Sequence, residues 1–73
     1  MWEQHITFNE NILRGKPIIR GTRLSVDFIL ELMANDWTVE SIIENYPQIS
    51  KADISACLEY ASSVIKQETV LMI

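Results

Sequence analysis

The chain has 73 residues, so it holds at most one small domain. Hydrophobic residues make up 48% of it against two Gly and two Pro, which excludes a disordered linker and a collagen-like repeat. The net charge of −4 argues against nonspecific binding of nucleic acid by the whole surface. A core this thin leaves little room for a substrate cleft within one copy, so a non-catalytic protein that associates with itself, as a homodimer, is expected.

The charge is unevenly placed. Residues 1–23 carry +2, four cations (Arg14, Lys16, Arg20, Arg23) against Glu3 and Glu10. Residues 24–73 carry −6, with only Lys51 and Lys66 against eight acids. Cys57 is the one cysteine, which rules out an intrachain disulfide. The sequence shows neither a signal-peptide pattern nor an apolar run of the roughly 20 residues a membrane span needs, so the expected location is the cytoplasm.

In chain order, Ile6-Thr7-Phe8 and Pro17-Ile18-Ile19-Arg20 are short β-branched runs. Asn9, Glu10, Asn11 and Gly15 between them favour a turn, so residues 1–24 read as a β-hairpin or arm. Pro17 lacks the donor of an interior strand residue, which puts it at a strand start or edge. Gly21 is expected where the backbone needs a positive φ or a close approach.

From residue 25 the period becomes helical. Ser25, Thr38 and Ser50 each follow an apolar residue and precede an Ile by four, the arrangement of a hydroxyl N-cap with a hydrophobic staple. Ser50 also has Asp53 three residues on, as in a capping box. An acid falls in each first turn (Asp27, Glu40, Asp53), where it complements the helix dipole. Helices are predicted over 25–35, 38–46 and 50–67, with Pro47 closing the second. Their apolar faces are Val26, Ile29, Leu30 and Met33; Val39, Ile42, Ile43 and Tyr46; and Ile54, Cys57, Leu58, Ala61, Val64 and Ile65. The whole reads as one mainly α domain, residues 1–73: an arm to 24, a three-helix bundle over 25–67 with the last two helices placed as a helix-turn-helix, and an apolar tail over 68–73 that docks on a partner or frays.

Catalytic, cofactor and metal sites are not expected. The sequence offers no Ser/His/Asp set, metal-ligand spacing or phosphate loop. His5 is the sole histidine and reads as a surface or arm residue, while Cys57 reads as a buried, inert thiol. Trp2, Trp37 and the tail aliphatics exceed what a small bundle hides, and are interface candidates, with core packing the alternative for Trp37.

The stretch Gly15-Lys16-Pro17-Ile18-Ile19-Arg20-Gly21-Thr22-Arg23-Leu24-Ser25-Val26 resembles the signature of the domain-of-unknown-function 433 family, small prokaryotic proteins with a GKPxIxGTRxxV core. The resemblance extends from Ile6, Asn9 and Asn11 through Thr38–Ile43, Tyr46-Pro47, Ser50 and Asp53-Ile54 to Ala56, Leu58, Tyr60 and Ala61. It implies a homeodomain-like three-helix fold behind a β arm. It also implies an antitoxin paired with a small PIN-like ribonuclease toxin, and operator DNA as a second partner where such a protein represses its own operon. Gly15, Pro17, Gly21 and Thr22 fall in the structural part of the motif. Asp36 departs from the Gly that members usually carry after the first helix, a position where Asp tolerates a left-handed turn.

Arg14, Lys16, Arg20 and Arg23 are the candidates for contact with a protein or DNA partner. Arg20 and Arg23 flank Gly21-Thr22, and two planar guanidinium groups there suit a carboxylate or phosphate. The alternative is structural, an arginine that pairs with acids of the first two helices and pins the arm. Direct DNA readout by the third helix is disfavoured by its own acids, so any DNA contact is expected from the arm.

Overall fold

The computed structural model describes residues 1–69, with Glu68 and Thr69 as backbone; the tail expectation for 70–73 lies outside the described residues. The fold is mainly helical, three helices behind a two-stranded antiparallel hairpin. The strands are β1 (Ile6–Phe8) and β2 (Pro17–Ile19), in the register Ile6 to Ile19, Thr7 to Ile18 and Phe8 to Pro17. Pro17 opens β2, where no ladder donor is needed. The helices are α1 (Val26–Ala34), α2 (Val39–Asn45) and α3 (Lys51–Thr69).

All three expected caps form. Ser25 Oγ accepts from the Phe28 amide at 3.1 Å, Thr38 Oγ1 from Ser41 at 3.1 Å and Ser50 Oγ from Asp53 at 3.2 Å. The Ser50 box closes reciprocally, with Asp53 Oδ2 accepting from the Ser50 amide at 2.9 Å. A second box closes at α2, where Ser41 Oγ accepts from the Thr38 amide at 2.9 Å.

Beyond α1 the chain reverses through a left-handed residue. The Asp36 amide donates to Met33 O and the Trp37 amide to Leu32 O, both at 3.1 Å, which is a Schellman closure. Asp36 sits at φ 71, where a side chain is strained. Asp36→Gly is therefore expected to stabilise the protein by about 0.5–1 kcal/mol, read as a rise of roughly 2–8 °C in the thermal midpoint. An unchanged or lower midpoint would show that the Asp36 side chain offsets its own strain.

Strand alternation divides the hairpin between two environments. Ile6 and Ile19 join Val26, Ile29, Ile42, Ile49, Ile54, Ala56 and Cys57 in the core. Ile18 is also buried, at 2% exposure, but on the hairpin's outer face. A bridge from Ile18 to Ser25 and the Ile19 amide donating to Leu24 O at 2.9 Å tie β2 to the start of α1. Trp37 packs against the core, the second of the two roles open to it.

Two expectations need correction. Leu58, Val64 and Ile65 are exposed by 45%, 37% and 58%: the described residues cover mainly the first half of α3, which leaves Val64 and Ile65 open, and within that half the buried face runs through Ile54, Ala56 and Cys57 with Leu58 at its edge. Trp2 is half-buried within a 3-10 turn (Trp2–Gln4), edge-on to Tyr60 with ring centroids 4.8 Å apart, so within this chain it already has a partner. His5 lies in the arm, half-buried, and has a partner: its Nδ1 lies 2.8 Å from Asp53 Oδ1, a bond that ties the N-terminal turn to the start of α3.

Candidate partner-binding face

The motif builds a turn and an adjoining hollow. After β2 the chain reverses as the Thr22 amide donates to Ile19 O at 3.0 Å. Gly21 stands at φ 82, the third position of this turn, where a residue with a Cβ is strained although space is open around it. Thr22 locks the turn from both sides: Oγ1 donates to Ile19 O at 2.8 Å and accepts from the Leu24 amide at 3.0 Å. Gly21 and Thr22 thus hold the loop that carries Arg20 and Arg23. Gly15 has the same kind of role in the β1–β2 connection, where Leu13, Arg14 and Gly15 follow one another at φ 50, 56 and 79.

The four arm cations take different parts. Lys16 Nζ pairs with Asp27 Oδ2 at 3.2 Å, an exposed contact that fastens the arm to α1 and contributes about 1 kcal/mol or less. Asp27's carboxyl is held below the ordinary carboxylate range first by the Ser25 hydroxyl, against an opposing effect of burial, with Lys16 adding to the lowering. Arg20 donates from Nε to Gln4 O and from Nη2 to Glu3 O, both at 3.2 Å. The arm is therefore pinned by an arginine, but through the carbonyls of the N-terminal turn rather than acids of α1 or α2. Of the two acids of α1, Asp27 is taken by Lys16. Arg14 and Arg23 are exposed and make no hydrogen bond or ion pair among the described residues.

Arg23 lines a cavity of about 630 Å³ over the outer face of the hairpin. Ile12, Ile18 and Leu24 line it too, so the buried outer-face isoleucine of β2 is covered by the same loops that form the hollow. A shallower apolar groove of about 250 Å³ runs between α1 and the second half of α3, with Leu30, Val64 and Ile65 among its walls.

Cys57 is fully buried, and burial pushes its thiol up to about 12, with the Asp53 carboxylate adding to the effect. A thiol held neutral in this way is a poor nucleophile. Among the described residues no group of three or more His, Cys, Asp or Glu could hold a metal ion, and no helix is long and apolar enough to cross a membrane. Sequence reasoning missed His5–Asp53, whose partners are 48 positions apart. The spacing of Ser50 and Asp53 pointed to a cap and gave no sign of a second bond.

No curated protein matches the sequence. A structural relative is a DUF433 member protein from Anabaena variabilis ATCC 29413, which superposes with a TM-score of 0.79 at 24% identity over 85% of this chain. This chain spans 61% of that protein's length, and the likeness is one of fold. The family model described as a protein of unknown function (DUF433) matches residues 6–61, the hairpin and all three helices down to the middle of α3. The Gly15–Val26 motif, the Thr22-locked turn and the hollow it borders therefore lie within the matched region, and the chain belongs to the DUF433 family.

Proposed function

We propose that this protein is a non-catalytic antitoxin that binds and neutralises a small PIN-like ribonuclease in the cytoplasm. The observation that carries the reading is Arg23: an exposed guanidinium with no partner among the described residues, presented on a locked turn beside an apolar-walled hollow. Nucleases of that type gather carboxylates around a metal, and a guanidinium engages a carboxylate in a planar, bidentate way. The three helices are read as a homeodomain-like scaffold with α2 and α3 in the helix-turn-helix places.

Operator DNA is the less favoured partner. Of the four arm cations, Lys16 is neutralised by Asp27 and Arg20 is held against the N-terminal turn, which leaves two. Phosphate contacts supply most DNA affinity, and two cations on a chain of net charge −4 supply few. The exposed Leu58, Val64 and Ile65 favour a homodimer through α3, since one face carries both a groove and projecting side chains.

The test is a tagged pull-down from the native host with mass spectrometry, followed by nuclease assays on the recovered pair. The expected product is a stoichiometric small protein with a cluster of acids, inhibited by this chain. Arg23→Ala is expected to weaken that complex at least tenfold with an unchanged melting temperature. Arg20→Ala is expected to cost about 1 kcal/mol of stability through its two carbonyl bonds. Recovery of the protein with only itself, or a complex indifferent to Arg23, would overturn the assignment.

A further inference from the structure

The cavity beside Arg23 has a chemical character that narrows what it takes. At about 630 Å³ it is larger than the hollows of about 250, 260 and 320 Å³ elsewhere on the surface, and within the range of small-ligand sites. Its floor is apolar, from Ile12, Ile18 and Leu24. Its polar lining is Thr7, Asn9, Thr22, Arg23 and Gln48, and the donors of the Arg23 and Gln48 side chains have no acceptor among the described residues. Among the described residues no Asp or Glu lines it. Unmatched donors around an apolar floor fit a group with a negative acceptor at one end and hydrocarbon at the other.

We propose that this cavity is the seat for an exposed segment of the partner protein in which a carboxylate side chain adjoins an apolar one. The carboxylate meets the Arg23 guanidinium and the amides of Gly21 and Arg23, and the apolar side chain rests on Ile18 and Leu24. One cation with an apolar floor suits a single carboxylate better than a polyphosphate, which needs several cations spaced along it. The proposal rests on the protein-binding reading above and names the chemistry of the partner's contact.

The probe is the dipeptide acetyl-Leu-Asp-amide, titrated into the full-length ¹⁵N-labelled protein, with acetyl-Leu-Asn-amide and inorganic phosphate as the other arms. Saturable shifts are expected at the amides of Gly21, Thr22 and Arg23 and at the Gln48 side chain, at least fivefold weaker with the Asn probe. Arg23→Gln and Gln48→Glu both change exposed side chains, keep the fold, and are each expected to abolish the shifts. Equal shifts with phosphate would overturn the proposal in favour of a bare anion site, as would shifts that survive Arg23→Gln. If the probe does not bind but the nuclease is still captured and inhibited, the seat is wrong and the antitoxin reading stands. Probe binding with no nuclease captured sinks the antitoxin reading and leaves the seat.

Discussion

Ile19→Ala is expected to cost the protein about 2–5 kcal/mol, a large share of its stability. Ile19 is fully buried and sits where the fold is joined: its strand pairs with β1, its amide reaches Leu24, and its side chain belongs to the helical core. Truncating a buried isoleucine to Ala costs about 2–5 kcal/mol, from lost transfer energy and the cavity left behind. A chain of this length has a total stability of roughly 4–10 kcal/mol, so one such loss removes a large share of it. The exposed Ser62→Ala is the control, with a change of about 0.5 kcal/mol or less. Urea titrations followed by circular dichroism measure both. A loss below about 1 kcal/mol for Ile19→Ala would mean that the hairpin is an appendage, and that the motif loop is not held by the core.

That dependence explains which parts of the fold were legible. The helices announce themselves locally, because a hydroxyl cap, its acid and the staple all lie within five residues; Ser25, Thr38 and Ser50 all cap as read. The strands were equally plain from their β-branched runs, and Gly21 from its place just after the second of them. What the sequence hides is long-range. The bond from His5 to Asp53 and the packing of Trp2 on Tyr60 join the two ends of the chain, and neither end carries a local sign of the other. Apolar periodicity in α3 likewise continues to Ile65 without saying where its cover stops. Of the candidate site, the residue types were readable but not their division of labour. Arg20 and Arg23 flank the same dipeptide, yet one is spent on Glu3 and Gln4 and the other has no partner among the described residues. That division depends on the N-terminal turn, whose position is in turn set by His5.

Asp53→Ala tests that chain of dependence, and is expected to cost about 2–3 kcal/mol. Asp53 does two jobs with one carboxylate: Oδ2 caps the Ser50 amide, and Oδ1 holds His5 Nδ1. It also places a negative charge in the first turn of α3, near the positive end of the dipole. Loss of a cap costs about 1 kcal/mol, and a lost bond to a half-buried partner costs about as much again. Asp53→Asn keeps an acceptor on the side chain but not the charge, so it is expected to lose about half as much. A double-mutant cycle with His5→Ala isolates the His5 bond, with an expected coupling of about 0.5–1.5 kcal/mol. The reach of the effect is the more informative part. His5 anchors the turn over Trp2–Gln4, that turn supplies the two carbonyls that hold Arg20, and Arg20 leads directly into the Gly21–Arg23 loop. Asp53→Ala is therefore expected to weaken dipeptide binding at the cavity by about twofold or more, although Asp53 does not line it. Unchanged binding alongside the full stability loss would show that the Thr22 lock alone positions Arg23, and that the N-terminal turn serves the fold and not the site.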